Sequence, residues 1–294
     1  MSTYTTPAIL IRRLDYGDYD LILNFLTRDK GKISAIAKSA KRSQRRFGGI
    51  LELFNSLDIV VSEKRGKGLA LVKEASLIRP LFNIAADIRR TAYASYWAEL
   101  TNLWLEEGRE QKELYDLMAH VLSELDAGTV SPEVLSILIQ MRFLSLSGLC
   151  PNLSHCCTCR IDTDAAPRHR MNFDLSKGGV VCESCAPYGT DERCLSRGTI
   201  KQLQWIDNSD IRKAARIRFS AQALGESLHF LESFVPYHLG REPRSLKFLR
   251  QLRRPNTPFG IHSAEQRSKE YGVDRRETRT TELQRPEPQR TEGN

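Results

Sequence analysis

The chain has 294 residues, 40% of them hydrophobic, and carries 44 Lys and Arg against 36 Asp and Glu for a net charge of +8. That length suits two domains plus a tail, and no apolar stretch is long enough to span a bilayer. The charge is uneven: residues 1–80 hold 15 Lys and Arg against 8 Asp and Glu (net +7), residues 81–254 hold 22 against 21, and residues 255–294 hold 7 of each. A basic excess confined to one domain points to a polyanion partner, of which nucleic acid is the usual one.

From Thr5 to Leu77 the pattern is β. Short apolar runs occur at Ala8–Ile11, Tyr19–Thr27, Lys32–Lys38, Leu51–Val61 and Leu69–Val72. Turn signals separate them at Tyr16-Gly17-Asp18, Asp29-Lys30-Gly31, Phe47-Gly48-Gly49 and Lys64 to Gly68. Five short strands in so small a span predict a closed barrel; an OB-fold is the type associated with nucleic acid, and an SH3-like barrel also fits. Asp15, Asp18 and Asp20 fall in the first turn, where Asp suits the backbone, and lack the spaced histidine or further acid of a metal site. Gly66 and Gly68 lack the third glycine of a dinucleotide fingerprint.

The chemistry of this domain sits in the loop Lys38 to Gly49, which packs Lys38, Lys41, Arg42, Arg45 and Arg46 into nine residues and ends on Phe47. Mutual repulsion keeps such a run out of a core. Its plain reading is a solvated loop; its functional reading adds Arg12, Arg13, Lys30 and Lys32 from neighbouring segments to make a groove that tracks phosphates. Phe47 then either stacks on a base or anchors the loop in the core.

After Pro80 the period becomes helical. Ile84, Ile88, Ala92, Trp97, Leu100 and Trp104 mark one long face, Leu114 to Leu125 a second helix stopped by Gly128, and Ser131-Pro132-Glu133 opens a third that runs to Gly148. Ser196 to Ile206 and Ser220 to Leu239 read as further helices, with a short basic one after Pro243. Residues 255–294 are polar and poor in large apolar side chains, which predicts a disordered tail.

Between the third and fourth helices lie two C-x-x-C knuckles, Cys156 with Cys159 and Cys182 with Cys185, separated by 22 residues. Each turns two thiolates inward from a tight loop, and two knuckles supply the four tetrahedral sulfurs of a closed structural zinc site. Such a shell leaves no position for an activated water, so one zinc per chain is expected to fold the module at about 150–195 without catalysing. Gly178-Gly179-Val180-Val181 predicts a turn into a short strand that presents the second knuckle. Seven cysteines, an odd number, favour a reducing cytosol over a disulfide framework. Cys150 reads as a small core residue, Cys157 as a poorer ligand, and His155 as an exposed neighbour. The fold expected is therefore α+β: a five-stranded OB-fold barrel over residues 1–80, then an all-helical domain over 81–254 carrying an inserted four-cysteine zinc module.

This order of parts resembles the RecO family of recombination mediators. The resemblance rests on Tyr16-Gly17-Asp18-Tyr19-Asp20-Leu21-Ile22-Leu23, Gly31 to Lys38, Arg46-Phe47-Gly48-Gly49, Leu146-x-Gly148-Leu149-x-Pro151-x-Leu153, and Gly240-Arg241 through Leu246 and Phe248. The chain departs from the family pattern in Arg160, where glycine commonly follows the first knuckle, in Cys157 and in the long tail. The resemblance implies a non-enzymatic bacterial protein of the cytoplasm, nucleoid-associated during repair, that binds single- and double-stranded DNA and anneals complementary strands. It also implies work with RecR and single-strand binding protein to load RecA. The rival reading is a zinc-containing nuclease or ligase whose OB-fold only grips DNA, but clustered acids and a nucleotide-binding lysine motif are not evident. The implied partner site for the acidic C-terminal tail of single-strand binding protein needs an apolar notch with a cation at its rim. Arg142 beside Phe143, with Leu138 and Leu146 a turn away, is the expected place.

Overall fold

The computed structural model describes residues 2–63, 68–166, 170–186 and 194–253. The expected tail, 255–294, and part of the Lys64 to Gly68 turn lie outside the described residues. Strands β1 (Ser2–Tyr16), β2 (Asp20–Thr27), β3 (Gly31–Ala37), β4 (Ser56–Glu63) and β5 (Ala70–Arg79) close into a barrel in the order β1-β2-β3-β5-β4. All neighbours are antiparallel except β3 and β5, which pair in parallel at Ala35–Ala70 and Ile36–Leu71. This is the five-stranded OB-fold, and it removes the SH3-like alternative.

Alternation fills the barrel: Leu21, Leu23 and Phe25 of β2, Ile33, Ala35 and Ala37 of β3, and Leu57, Ile59 and Val61 of β4 all point inward. β1 and β5 are longer than their apolar runs. Residues 2–9 of β1 pair with β4 and residues 8–16 with β2, so the outer ends have a partner on one side only and carry mixed, exposed side chains. Without a buried face they have no period to read. A helix absent from the sequence reading, α1 (Gln44–Phe47), sits inside the basic loop, capped by the Ser43 hydroxyl.

The helices follow as α2 (Phe82–Ala86), α3 (Ile88–Trp104), α4 (Lys112–Ala127), α5 (Pro132–Leu146), α6 (Arg197–Asn208), α7 (Ile211–Ala214), α8 (Ala221–Leu239) and α9 (Arg244–Arg253). The first expected helix is broken in two at Asp87, whose carboxylate accepts the N–H groups of Arg89 and Arg90 and so starts α3 afresh. Gly128 at φ +68° stops α4, and Ser131 with Pro132 opens α5, as the sequence indicates. Between α5 and α6 stands a small antiparallel sheet of β6 (Arg170–Asp174), β7 (Gly179–Val181) and β8 (Cys194–Ser196) in the order β7-β6-β8. Among the described residues no helix is long and apolar enough to cross a membrane.

Two cores result. One lies inside the barrel. The other fills the helices around Tyr93, Tyr96 and Trp97 of α3 and α5's Ile137 and Leu138, and extends into both neighbours. It takes Ile9, Ile11 and Leu26 from the barrel wall, and Leu153, Met171, Phe173 and Val180 from the cysteine module. Buried polar tips are paired: Tyr93 Oη donates to Glu133 at 2.7 Å, Tyr96 Oη to Gln140 at 2.8 Å, and Trp97 Nε1 to Ser136 at 3.3 Å. Residues up to Arg253 thus form one compact unit.

Candidate metal centre and nucleic-acid interface

The two knuckles meet. The sulfurs of Cys156, Cys159, Cys182 and Cys185 all lie within 4.8 Å of one another, and Cys159 Sγ is 3.6 Å from Cys182 Sγ. A tetrahedral shell with Zn–S of about 2.3 Å places its sulfurs about 3.8 Å apart, so the donor set fits that ion. The hairpin of β6 and β7 turns at Gly178 (φ +72°) and β7 leads straight into Cys182. Cys157 N–H donates to Val180 O at 2.8 Å, which ties the first knuckle to that hairpin. Gly179 is required there, because a Cβ would meet the carbonyl oxygen of Asn152 at 2.3 Å.

The thiols influence one another. Burial raises Cys156, but N–H groups of Cys159, Cys182 and Thr158 outweigh it and hold the thiol down at about 6. Contact with Cys182 pushes Cys185 up to about 12, and burial together with Cys159 raises Cys182. Four thiolates this close repel; a divalent cation at their centre compensates that repulsion. Cys157 faces Asn152, whose Nδ2 donates to its sulfur at 3.4 Å, and stands outside the cluster. Cys150 is a correction: it is exposed, with Sγ 3.2 Å from Asp207 Oδ2, because α5 ends before it. His155 is half-buried, its Nε2 2.6 Å from Arg160 and its Nδ1 2.8 Å from Ser154 Oγ.

Arg160 adopts φ +66°, the left-handed region. The knuckle turn forces this, which is the physical reason a glycine suits that position. Arg160→Gly is therefore expected to stabilise the module by about 1 kcal/mol, whereas Arg160→Ala gains nothing. Denaturant midpoints of the two variants check this.

Most of the expected barrel cations face outward, and five of them have an anchor. Lys41 pairs with Asp15 at 3.2 Å, and Arg13 with Glu52 at 2.6 Å. The Arg42 guanidinium lies 3.3 Å from the Tyr19 ring centroid and donates to its hydroxyl. Arg46 donates to Lys38 O at 2.8 Å, and Lys30 sits 5.6 Å from the Tyr4 ring centroid. Lys38 and Arg45 are exposed, without a side-chain partner among the described residues. Asp20 Oδ1 receives the N–H of Ser39 at 2.7 Å, so this acid shapes the loop.

Two expected contacts change. Phe47 is 2% exposed and packs in the barrel core, the anchor of the two readings; it offers no face to a base. Lys32 turns away from the basic loop. Its Nζ donates to Asn102 O at 2.9 Å and lines a cleft between barrel and helices, where Arg12 also stands.

That cleft has a volume of about 910 Å³. Its barrel wall includes Ile22, Asn24, Lys32 and Ser34, and its helical wall includes Glu99, Asn102, Arg241 and Arg244. The sequence reading placed neither Arg241 nor Arg244 in a site. They lie more than two hundred residues from β1 along the chain, and only the packing of α9 against α3 brings them there.

The expected notch on α5 is also revised. Leu138 is 0% and Phe143 1% exposed, both in the helical core, so neither can receive a ligand. Phe143 instead packs edge-on against Trp104, centroids 5.2 Å apart. Arg142 and Leu146 do reach a surface pocket of about 490 Å³, shared with Leu117 and His120 of α4 and with Ile211 and Arg212. Arg142 Nη1 donates to Asp207 O at 2.7 Å and its Nε has no partner among the described residues. Glu113, Asp116 and Asp210 share the rim.

Comparison with known proteins agrees with this arrangement. Residues 1–81 match the family described as recombination protein O N-terminal and residues 85–247 the one described as recombination protein O C-terminal. A DNA repair protein RecO of Desulfatibacillum aliphaticivorans is 41% identical over 255 residues, covering 86% of this chain and 99% of that one. RecO of Desulfosudis oleivorans is 40% identical over 258 residues, with the same coverage of 86% and 99%. RecO of Syntrophus aciditrophicus is 33% identical over 255 residues, covering 86% and 97%. Family matches over both halves, with a metal-compatible cluster of four cysteines and an N-terminal OB-fold, place this chain in the RecO family of DNA repair proteins.

Proposed function

We propose that the chain is a recombination mediator that binds single- and double-stranded DNA and anneals complementary strands. With RecR and single-strand binding protein it would then help to load RecA at gaps and breaks, in the bacterial cytoplasm and at the nucleoid during repair. The observation that carries this reading is the outward set Lys38, Lys41, Arg42, Arg45 and Arg46, which α1 and the buried Phe47 hold on the rim of an OB-fold. Cations fixed on a barrel hold phosphates and lower the repulsion between two strands, while base edges stay free to pair. No bond is made or broken, so no catalytic residue is called for. Cys156, Cys159, Cys182 and Cys185 would hold one structural zinc, whose chemistry is to fix the fold of its module.

The test is annealing of complementary strands by the purified protein with no nucleotide present. Annealing supports the mediator; strand cleavage would favour the nuclease or ligase alternative. The salt dependence is equally telling. Each phosphate contact on a single strand contributes roughly 0.7 to the slope of log affinity against log salt. Neutralising Lys41, Arg42, Arg45 and Arg46 together is expected to flatten that slope by about 2 to 3. An unchanged slope returns the loop to a merely solvated role.

The tail of single-strand binding protein, acidic and ending in apolar residues and a carboxylate, is proposed to enter the α4–α5–α7 pocket. Leu146 and Ile211 offer its apolar wall and Arg142 the cation for the terminal carboxylate, the acidic part of the tail staying outside the rim of Glu113, Asp116 and Asp210. Arg142→Ala is expected to weaken binding of a tail peptide by about 1 to 3 kcal/mol while leaving naked single-strand binding unchanged. Peptide affinity that does not move in the folded variant would put the partner site elsewhere.

A further inference from the structure

We infer that the cleft between barrel and helices grips the sugar–phosphate backbone of single-stranded DNA, with Arg241 and Arg244 of the helical part supplying phosphate contacts opposite Arg12 and Lys32. This rests on the reading of the protein as a strand binder and extends that site beyond the barrel.

The argument starts from charge. Four cations and two acids line the cleft: Arg12, Lys32, Arg241 and Arg244 against Glu99 and Glu107. Glu99 is already engaged. Its carboxylate accepts the N–H of Arg244 at 3.1 Å and of Ser245 at 2.8 Å, and so caps the N-terminus of α9. Glu107 accepts a hydrogen bond from Ser34 and faces Lys32. The guanidiniums of Arg12, Arg241 and Arg244 are left without a partner among the described residues. Burial lowers the pKa of Lys32, Glu107 opposes that, and Arg12 adds to it, so Lys32 feels the charge of Arg12. An anion threaded between the walls relieves this repulsion.

The lining then selects the part of the strand. Besides the cations it presents aliphatic groups, Ile22, Leu69 and Leu103 among them, and the one aromatic among the described lining residues, Phe54, is only 6% exposed. A groove that reads or stacks bases needs accessible aromatic rings. This one offers guanidiniums for phosphates and aliphatic surface for sugars. Bases then point outward, which is what pairing with a second strand requires. An acidic peptide would satisfy the same charges, and the test separates the two.

Arg241→Ala with Arg244→Ala is titrated against fluorescein-labelled oligothymidylate and against an abasic strand of equal length, over a range of salt. The expected slope falls by roughly 1.4. Affinity drops roughly tenfold or more, the loss is the same for both strands, and Arg241→Lys with Arg244→Lys restores much of it. An unchanged slope, with the loop variant still flattened, overturns the cleft and leaves the strand-binding reading intact. Failure of the unaltered protein to bind any strand overturns both. Loss of acidic-peptide binding with strand binding untouched makes the cleft a protein site, and also overturns the inference. If the alanine pair does not fold, phenylglyoxal labelling of the unaltered protein decides: Arg241 and Arg244 must be shielded by the abasic strand, and full labelling in its presence refutes the cleft.

Discussion

Replacing Cys182 and Cys185 together with serine is expected to reduce bound zinc from one ion per chain to almost none and to unfold the cysteine module. The magnitude follows from the metal's share in folding. Structural zinc contributes apparent binding energies of about 10–16 kcal/mol in small finger peptides, far more than a small sheet stabilises by itself. Strands β7 and β8 have three residues each, too short to persist without a tie. The damage spreads because the module is part of the helical core: Phe173 packs edge-on against Phe230 of α8, with centroids 5.1 Å apart. Cys157→Ser should be mild, since its sulfur faces Asn152 and not the other thiols. Metal analysis and thermal unfolding of both variants check this. Full zinc occupancy in the double variant would overturn the assignment of the ligands.

How much of this was legible depends on whether the signal is local. The cysteine spacing is local chemistry: each C-x-x-C knuckle turns two sulfurs to one side, and two of them in one module have few other uses than a shared metal. The barrel was legible through its turns: Gly17 and Gly31 both have positive φ where the sequence marks hairpins. What escaped is tertiary. Phe47 ends a basic run, and nothing nearby tells that α1 turns it into the barrel while its neighbours face water. Lys32 looks like one more member of the basic set, yet the C-terminal turn of α3 lies beside β3 and draws its ammonium to Asn102 O. In α5 the apolar residues run all round the helix, so the period gave no means of telling the buried Leu138 and Phe143 from the half-exposed Leu146. The break at Asp87 has neither glycine nor proline to announce it; an N-cap carboxylate makes it.

Gly31→Ala is expected to cost about 3 kcal/mol or more, an effect far larger than one methyl group suggests, and to loosen the barrel from the helices. Two causes add. Gly31 has φ +65°, a conformation that costs an alanine about 1–2 kcal/mol. Its missing Cβ would also stand 1.7 Å from the carbonyl oxygen of Arg109, so backbone must move, and forced displacement of packed groups typically costs about 1–3 kcal/mol. The segment that must move is the one joining α3 to α4. It is fastened to β3 by Gly108 N–H to Lys32 O at 3.1 Å and by Ser34 to Glu107, next to the bond from the Lys32 ammonium to Asn102 O of α3 at 2.9 Å. Pushing it away breaks these bonds and shifts one wall of the cleft that holds Arg12 and Lys32. Gly17→Ala supplies the control, because Gly17 has φ +56° but open space around its Cβ position. Urea unfolding should show Gly17→Ala losing only the backbone cost and Gly31→Ala losing that plus the docking. Equal losses in the two variants would mean that the loop yields freely and that its ties to β3 add nothing to stability.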